Sequence, residues 1–142
     1  MIEAARDEDL PEVRELLQQL GLPLEGVDEH VRTMLVARED GHVVGTAALE
    51  LYADGVLLRS VAVEPRWQGK QIGHELTEAA LHLARAHNAE EVFLLTTTAE
   101  GFFPKFGFER TTRDEIPPAV QASVEVGLAC PASATVMRKR LV

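Results

Sequence analysis

The chain is short of cysteine, of aromatic residues and of positive charge, and each shortage excludes something. One cysteine, Cys130, permits no intrachain disulfide and no Cys-rich zinc site, so no metal is expected. Aromatics are 5% of the 142 residues, with one Trp and one Tyr. Lys and Arg number 14 against 23 Asp and Glu, a formal charge of −9. Nucleic-acid binding draws on clustered cations and stacking aromatics, so this balance argues against such a partner, and equally against an anionic membrane surface. No apolar run approaches the roughly 18 residues of a membrane span. The start, Met1 to Asp7, lacks the basic and apolar regions of a signal peptide. These features favour the cytoplasm. What is present is ordinary, 46% hydrophobic and 26% charged, in a length that suits one domain over residues 1–142.

Along the chain, residues 2–5 read as a short strand. Asp7 or Asp9 then caps a helix in which Leu10, Val13, Leu16, Leu17 and Leu20 follow helical spacing and Gly21 supplies the stop. Residues 24–32 read as a second, short helix. Strands follow at 34–38, 43–52 and 56–63, joined by hairpin turns at Asp40-Gly41 and Asp54-Gly55. Residues 74–86 form a helix, 91–97 a continuously apolar strand, 101–106 a short helix, and 108–112 and 135–141 the closing strands. The fold class is α/β (α+β). Antiparallel hairpins come first, and a β-α-β crossover then sets strands 56–63 and 91–97 parallel.

The chemistry lies in the crossover. Strand Val61-Ala62-Val63 ends at Pro65, and Gln68-Gly69-Lys70-Gln71-Ile72-Gly73 runs into the helix. A glycine-bearing loop that opens a helix aims successive backbone N–H groups at one point, and the helix N-terminus adds about half a positive charge. Such a nest binds phosphate oxygens without many basic side chains, which reconciles a phosphate-bearing ligand with the −9 total. A Walker loop is excluded because no Gly-Lys-Ser/Thr follows. A Rossmann loop is excluded because Gly-x-Gly-x-x-Gly is missing.

This segment resembles the acetyl-CoA site of the GCN5-related N-acetyltransferases (GNAT), and Phe102-Phe103-x-Lys105-Phe106-Gly107-Phe108 resembles that family's last helix and turn. In the family pattern Gln/Arg-x-x-Gly-x-Gly/Ala, Gln68 and Gly73 match and Gln71 replaces the middle glycine. The resemblance implies a mixed, mostly antiparallel sheet of six or seven strands with a splayed parallel pair and about four helices. By position it implies that Val61, Ala62 and Val63 flank the pantetheine arm of acetyl-CoA. The segment Gln68, Gly69, Lys70, Gln71, Ile72, Gly73 and His74 would hold the diphosphate. Phe102, Phe103 and Phe106 would flank the cofactor, although aromatics at this spacing equally suit a core.

Acetyl transfer needs a neutral amine, a stabilised oxyanion and a fate for the thiolate. The family's tyrosine acid is replaced by Phe103. With a thiol pKa near 8.5, unassisted thiolate release at pH 7 costs about 2 kcal/mol, and a positioned acid contributes roughly 10²–10⁴ in rate. Transfer therefore survives the loss, with Tyr52 or water as fallback acid. Glu50 is the first candidate base. Leu49-Glu50-Leu51 alternates, however, which equally suits a solvent-facing carboxylate.

The run Leu94 to Thr98, the Phe and Gly-Phe elements and a late Pro117-Pro118 loop resemble the acetyltransferase domain of N-acetylglutamate synthases. Cys130-Pro131-x-Ser133-Ala134 adds a likeness to small acetyltransferases found with bacterial arsenic-resistance genes. Both imply a small, amino-acid-like amine acceptor. Arg59 is the cation best placed for its carboxylate, with surface exposure the alternative, and Thr96 and Thr97 either line the acceptor pocket or merely end a strand. Glutamate itself is disfavoured, because Pro131-Ala132 stands where the synthases carry an arginine. The rival readings are a non-catalytic CoA-binding module and a protein or peptide N-acetyltransferase. A homodimer is left open.

Overall fold

Two tight hairpins set the sheet. The computed structural model describes residues 2–123, 126 and 133–141, and Cys130 lies outside them. Strand β1 (Ile2–Ala4) pairs with β2 (Met34–Glu39), β2 with β3 (His42–Tyr52), and β3 with β4 (Gly55–Val63), all antiparallel. Asp40 and Gly41 both have positive φ, 53° and 80°, the two-residue turn whose twist suits a hairpin. The second turn falls one residue earlier than expected: Tyr52 pairs with Gly55, so Ala53 and Asp54 form the loop. Gly55 lies in the strand at a close approach, where a Cβ would come 3.2 Å from Val120 Cγ2.

Strand β4 crosses through α2 (Ile72–Ala86) to β5 (Glu91–Thr96), which lies parallel to it. The last strand, β7 (Thr135–Arg140), inserts between β5 and β6 (Glu109–Thr111), giving the order β1-β2-β3-β4-β5-β7-β6. Helices α1 (Leu10–Gln19) and α3 (Pro118–Gln121) complete the fold. It is the expected mixed sheet with one parallel pair. No helix among the described residues is long and apolar enough to cross a membrane.

The strand alternation divides the core between the two sheet faces. Leu49 and Leu58 pack under α2 with Leu76, Ala80 and Ala84. On the opposite face Val36 and Ala48 meet α1 through Val13 and Leu17, while Leu57 and Phe93 meet Ile116 and Val120. Helix α2 approaches closely over Gly45, where a Cβ would sit 2.8 Å from Leu76 Cδ1. Asn88, in the left-handed region at φ 62°, ends α2, and the Ala89 amide returns to the Ala84 carbonyl at 3.1 Å.

Two local expectations are corrected. Residues 24–32 are not a helix of their own: only a 3-10 turn over Asp28–Thr33 forms, because Gly26 takes φ 79° inside the segment. Asp9 stands at the start of α1 but does not cap it. Its carboxylate instead accepts from the Arg6 amide at 2.9 Å and from Arg38 at 3.0 Å.

Candidate active site

Strands β4 and β5 pair only at Val56–Val92 and Leu57–Phe93, then separate. The cause is a bulge. Between Thr46–Ala62 and Ala48–Arg59, β3 advances two residues while β4 advances three, and Ser60 takes up the excess with φ 57°. A bulge bends its strand and sharpens the local twist, so β4 turns away from β5. The opening is a cleft of about 860 Å³ lined by residues 58–63 of β4, residues 94–99 after it, parts of 68–74, and Phe102, Phe103 and Lys105. Within it, the backbone of β4 beyond Leu57 has no β5 partner. Val61, Ala62 and Val63 therefore line the cleft along an unpaired edge.

The loop to α2 closes one end. Gln68 Nε2 donates to the Val63 carbonyl at 3.0 Å, which folds the loop back on the end of β4. Gly69 and Gln71 have φ of 81° and 70°. The first amide to enter the helix ladder is that of Glu75, donated to the Gln71 carbonyl at 2.9 Å. The amides of Ile72, Gly73 and His74 therefore precede the ladder, at the positive end of a 15-residue helix. Left-handed turns followed by a helix start make an anion nest, and its donors suit a diphosphate. Gln68, Gly69, Gln71, Gly73 and His74 line the cleft. Lys70 is exposed beside it and Ile72 packs into the core under α2, and neither is among the lining residues.

The backbone at Gln71 accounts for the glycine of the family pattern at this position. Its left-handed φ is one that glycine adopts freely and other residues adopt at about 1–2 kcal/mol. Gln71→Gly is therefore expected to raise stability by about 1 kcal/mol in urea unfolding while leaving the amide nest in place. A drop in stability would show that the Gln71 side chain contributes more than its backbone costs.

At the inner end stands a buried polar cluster. Glu50 on β3 and Arg59 on β4 are 1% and 3% exposed. Glu50 Oε1 accepts from Tyr52 Oη at 2.5 Å and from Ser123 Oγ at 2.6 Å. Its Oε2 accepts from Arg59 Nη1 at 2.8 Å and lies 3.5 Å from His30 Nε2. Arg59 also donates through Nε to Ser60 Oγ at 3.2 Å and through Nη2 to the Pro23 carbonyl at 3.3 Å. Gly26 admits the guanidinium, since a Cβ there would lie 3.1 Å from Nη1. Burial pushes the Glu50 carboxyl up. Hydrogen bonds from Ser123, Tyr52 and Arg59 and the neighbouring His30 outweigh it, so Glu50 sits below its ordinary value. Burial and the adjacent Glu50 carboxylate push the Tyr52 phenol up to about 12.

Arg59 and Ser60 line the cleft. Glu50 and Tyr52 are not among its lining residues and stand behind Arg59. The alternation around Glu50 is real, but its face is covered by residues 23–33 and by Ser123 rather than by water. Thr96 and Thr97 line the cleft, and the Thr96 hydroxyl also accepts from the Ala99 amide at 2.9 Å, closing the strand end. Phe103 is both wall and core: 5% exposed, it lines the cleft and packs edge-on against Phe102 and Phe108. Phe106 stacks on His74 at 4.9 Å, away from the lining.

Sequence reasoning assigns no site role to Ser60, Ser123, His30 or Lys105. Ser60 left a trace, a small hydroxyl interrupting an apolar strand, but its left-handed backbone left none. Ser123 lies 73 positions from Glu50, a separation no local pattern encodes. Lys105 stands at the cleft with its Nζ 5.6 Å over the Phe102 ring.

Known proteins are similar to this chain in sequence and fold. Residues 30–110 match the model of the acetyltransferase (GNAT) domain. An amino-acid acetyltransferase of Mycobacterium tuberculosis is 34% identical over 118 residues, covering 76% of this chain and 67% of the relative. An uncharacterised N-acetyltransferase of Chlorobaculum tepidum is 32% identical over 98 residues, covering 68% and 63%. A Mycobacterium tuberculosis structure in complex with CoA superposes with a TM-score of 0.81 at 26% identity, covering 100% of this chain and 99% of that one. The chain spans just under two thirds of the Chlorobaculum relative's length. With the family's domain model matched over more than half its length, and with the splayed strands and amide nest in place, the chain belongs to the GNAT acetyltransferase family.

Proposed function

We propose that the protein transfers acetyl from acetyl-CoA to the amine of a small amino acid or amino-acid-like compound. The observation that carries this reading is the cleft, with an amide nest at one end and a buried Arg59 at the other. The mycobacterial relative named as an amino-acid acetyltransferase supports the acceptor class, and the CoA-bound mycobacterial structure supports the donor. The single-cysteine composition suits a cytoplasmic setting.

Each residue has a task. The amides of residues 69–74 hold the diphosphate, and the unpaired edge of Val61 to Val63 meets the pantetheine arm. A backbone N–H of that edge serves as the oxyanion donor. Arg59 attracts the acceptor carboxylate, with Thr96 and Thr97 on the facing wall. Glu50, held ionised and behind Arg59, fixes that guanidinium and weakens its field. A carboxylate whose pKa is lowered accepts a proton poorly, so the ammonium proton leaves through water. Tyr52 donates to Glu50 with a phenol pushed up to about 12, which makes it a poor acid for the thiolate. The thiolate departs unassisted, at the modest cost given by its own pKa.

The experiment is thiol release from acetyl-CoA across the twenty amino acids and a set of basic peptides, with products identified by mass. Turnover with one or a few free amino acids is the expected result. Tight CoA binding without turnover on any acceptor would favour a non-catalytic module, and peptides outperforming every free amine would favour protein acetylation.

A further inference from the structure

Ser60 carries more than its place in a strand requires. It is 8% exposed, lines the cleft, and holds φ 57° in the middle of β4, a region where glycine is at home and serine is strained. Strain of this kind persists where surrounding structure enforces it, and it concentrates where a side chain must be aimed. Here the register mismatch between β3 and β4 enforces it, and the hydroxyl meets Arg59. Each of its three guanidinium nitrogens has a protein acceptor: Glu50 for Nη1, the Pro23 carbonyl for Nη2, and Ser60 Oγ for Nε. Arg59 is thereby anchored on three sides. The Ser60 hydroxyl is in a different position. It accepts from Arg59, so its own hydrogen remains to be given, and a hydroxyl that accepts from a cation becomes a stronger donor.

We propose that the Ser60 hydroxyl, polarised by Arg59, donates the hydrogen bond that receives the acceptor's carboxylate, and so sets the preference for an amino acid over its carboxamide. This rests on the amino-acid acceptor proposed above. Arg59 supplies charge and Ser60 the directed contact.

Two variants separate this role from a structural one. Ser60→Gly removes the hydroxyl and relieves the left-handed strain. Ser60→Ala removes the hydroxyl and keeps the strain. The amino acid turned over fastest by the wild type, and its carboxamide, are titrated calorimetrically into each protein saturated with CoA, alongside thermal unfolding and a CoA titration. The expected result is a loss of about tenfold or more in amino-acid affinity in both variants, the scale of a hydrogen bond to a charged group. The carboxamide should lose less, and CoA affinity should hold. The melting temperature should rise for Ser60→Gly above that of Ser60→Ala, so that binding and stability part company. Wild-type affinity in Ser60→Gly, or equal losses for acid and carboxamide, would overturn the proposal. If the wild type accepts no amino acid, the carboxylate contact falls with the acceptor reading, while CoA binding in the same titration reports separately on the donor half.

Discussion

Replacing Glu50 by Gln should lower the unfolding free energy by about 3 kcal/mol or more, the largest stability loss expected from a single isosteric change in this chain. The carboxylate accepts hydrogen bonds from Tyr52, Ser123 and Arg59, and its residue is 1% exposed. A carboxamide offers one acceptor oxygen in place of two, and its amino group would face donors. Arg59, 3% exposed, would lose its 2.8 Å contact with the Glu50 carboxylate. The cost comes from disturbing a buried cation more than from the lost attraction, because a buried pair repays little beyond its own desolvation.

The same pair predicts how stability varies with pH. The folded Glu50 carboxyl lies below its ordinary value of 4.5, so its contribution is complete above that value and disappears as pH falls from there through the lower folded pKa. Urea unfolding at neutral pH and below 4 should therefore show wild type and Glu50→Gln converging in acid. A neutral-pH loss under about 1 kcal/mol, or parallel curves down to low pH, would show that Arg59 finds compensation elsewhere.

Gly73→Leu should abolish CoA binding, a loss of roughly a hundredfold or more, without unfolding the protein. Gly73 lines the cleft in the first turn of α2 and has ordinary backbone angles. A Cβ there would rest 3.6 Å from Val63 Cγ2 and 3.7 Å from Phe102 Cζ, normal contact distances. Alanine therefore fits, and it should raise helix stability by up to about 1 kcal/mol. The further carbons of leucine find Val63 and Phe102 already in place and must enter the cleft beside the amide nest. The pair of variants gives a clean contrast, with the fold kept in both and binding lost in one. Wild-type CoA affinity in Gly73→Leu would move the ligand away from this loop.

Much of the architecture is legible in the chain because local chemistry and global fold agree. Asp40-Gly41 announces its hairpin, the spacing of Val13, Leu16 and Leu17 announces α1, and the Gln68 to Gly73 loop announces a helix start. The stretch before β2 misleads because its apolar residues suit a helix, whereas Gly26 interrupts the backbone and Pro23 gives its carbonyl to Arg59. The inner end of the site is harder to read for a different reason. Glu50 looks half-exposed in an alternating strand, and its burial depends on Ser123 and His30 arriving from distant parts of the chain. The bulge at Ser60 is equally silent, since it arises from a register mismatch between two strands.

The cradle proposed for coenzyme A is made of the amides around the start of α2 and the unpaired edge of β4. Calorimetric titration of the protein with CoA, paired with thermal unfolding at rising CoA concentration, tests it most directly. Saturable one-to-one binding is expected, with a melting temperature that climbs with ligand, as it must for anything that binds only the folded state. No heat and an unmoved melting temperature at millimolar CoA would contradict it.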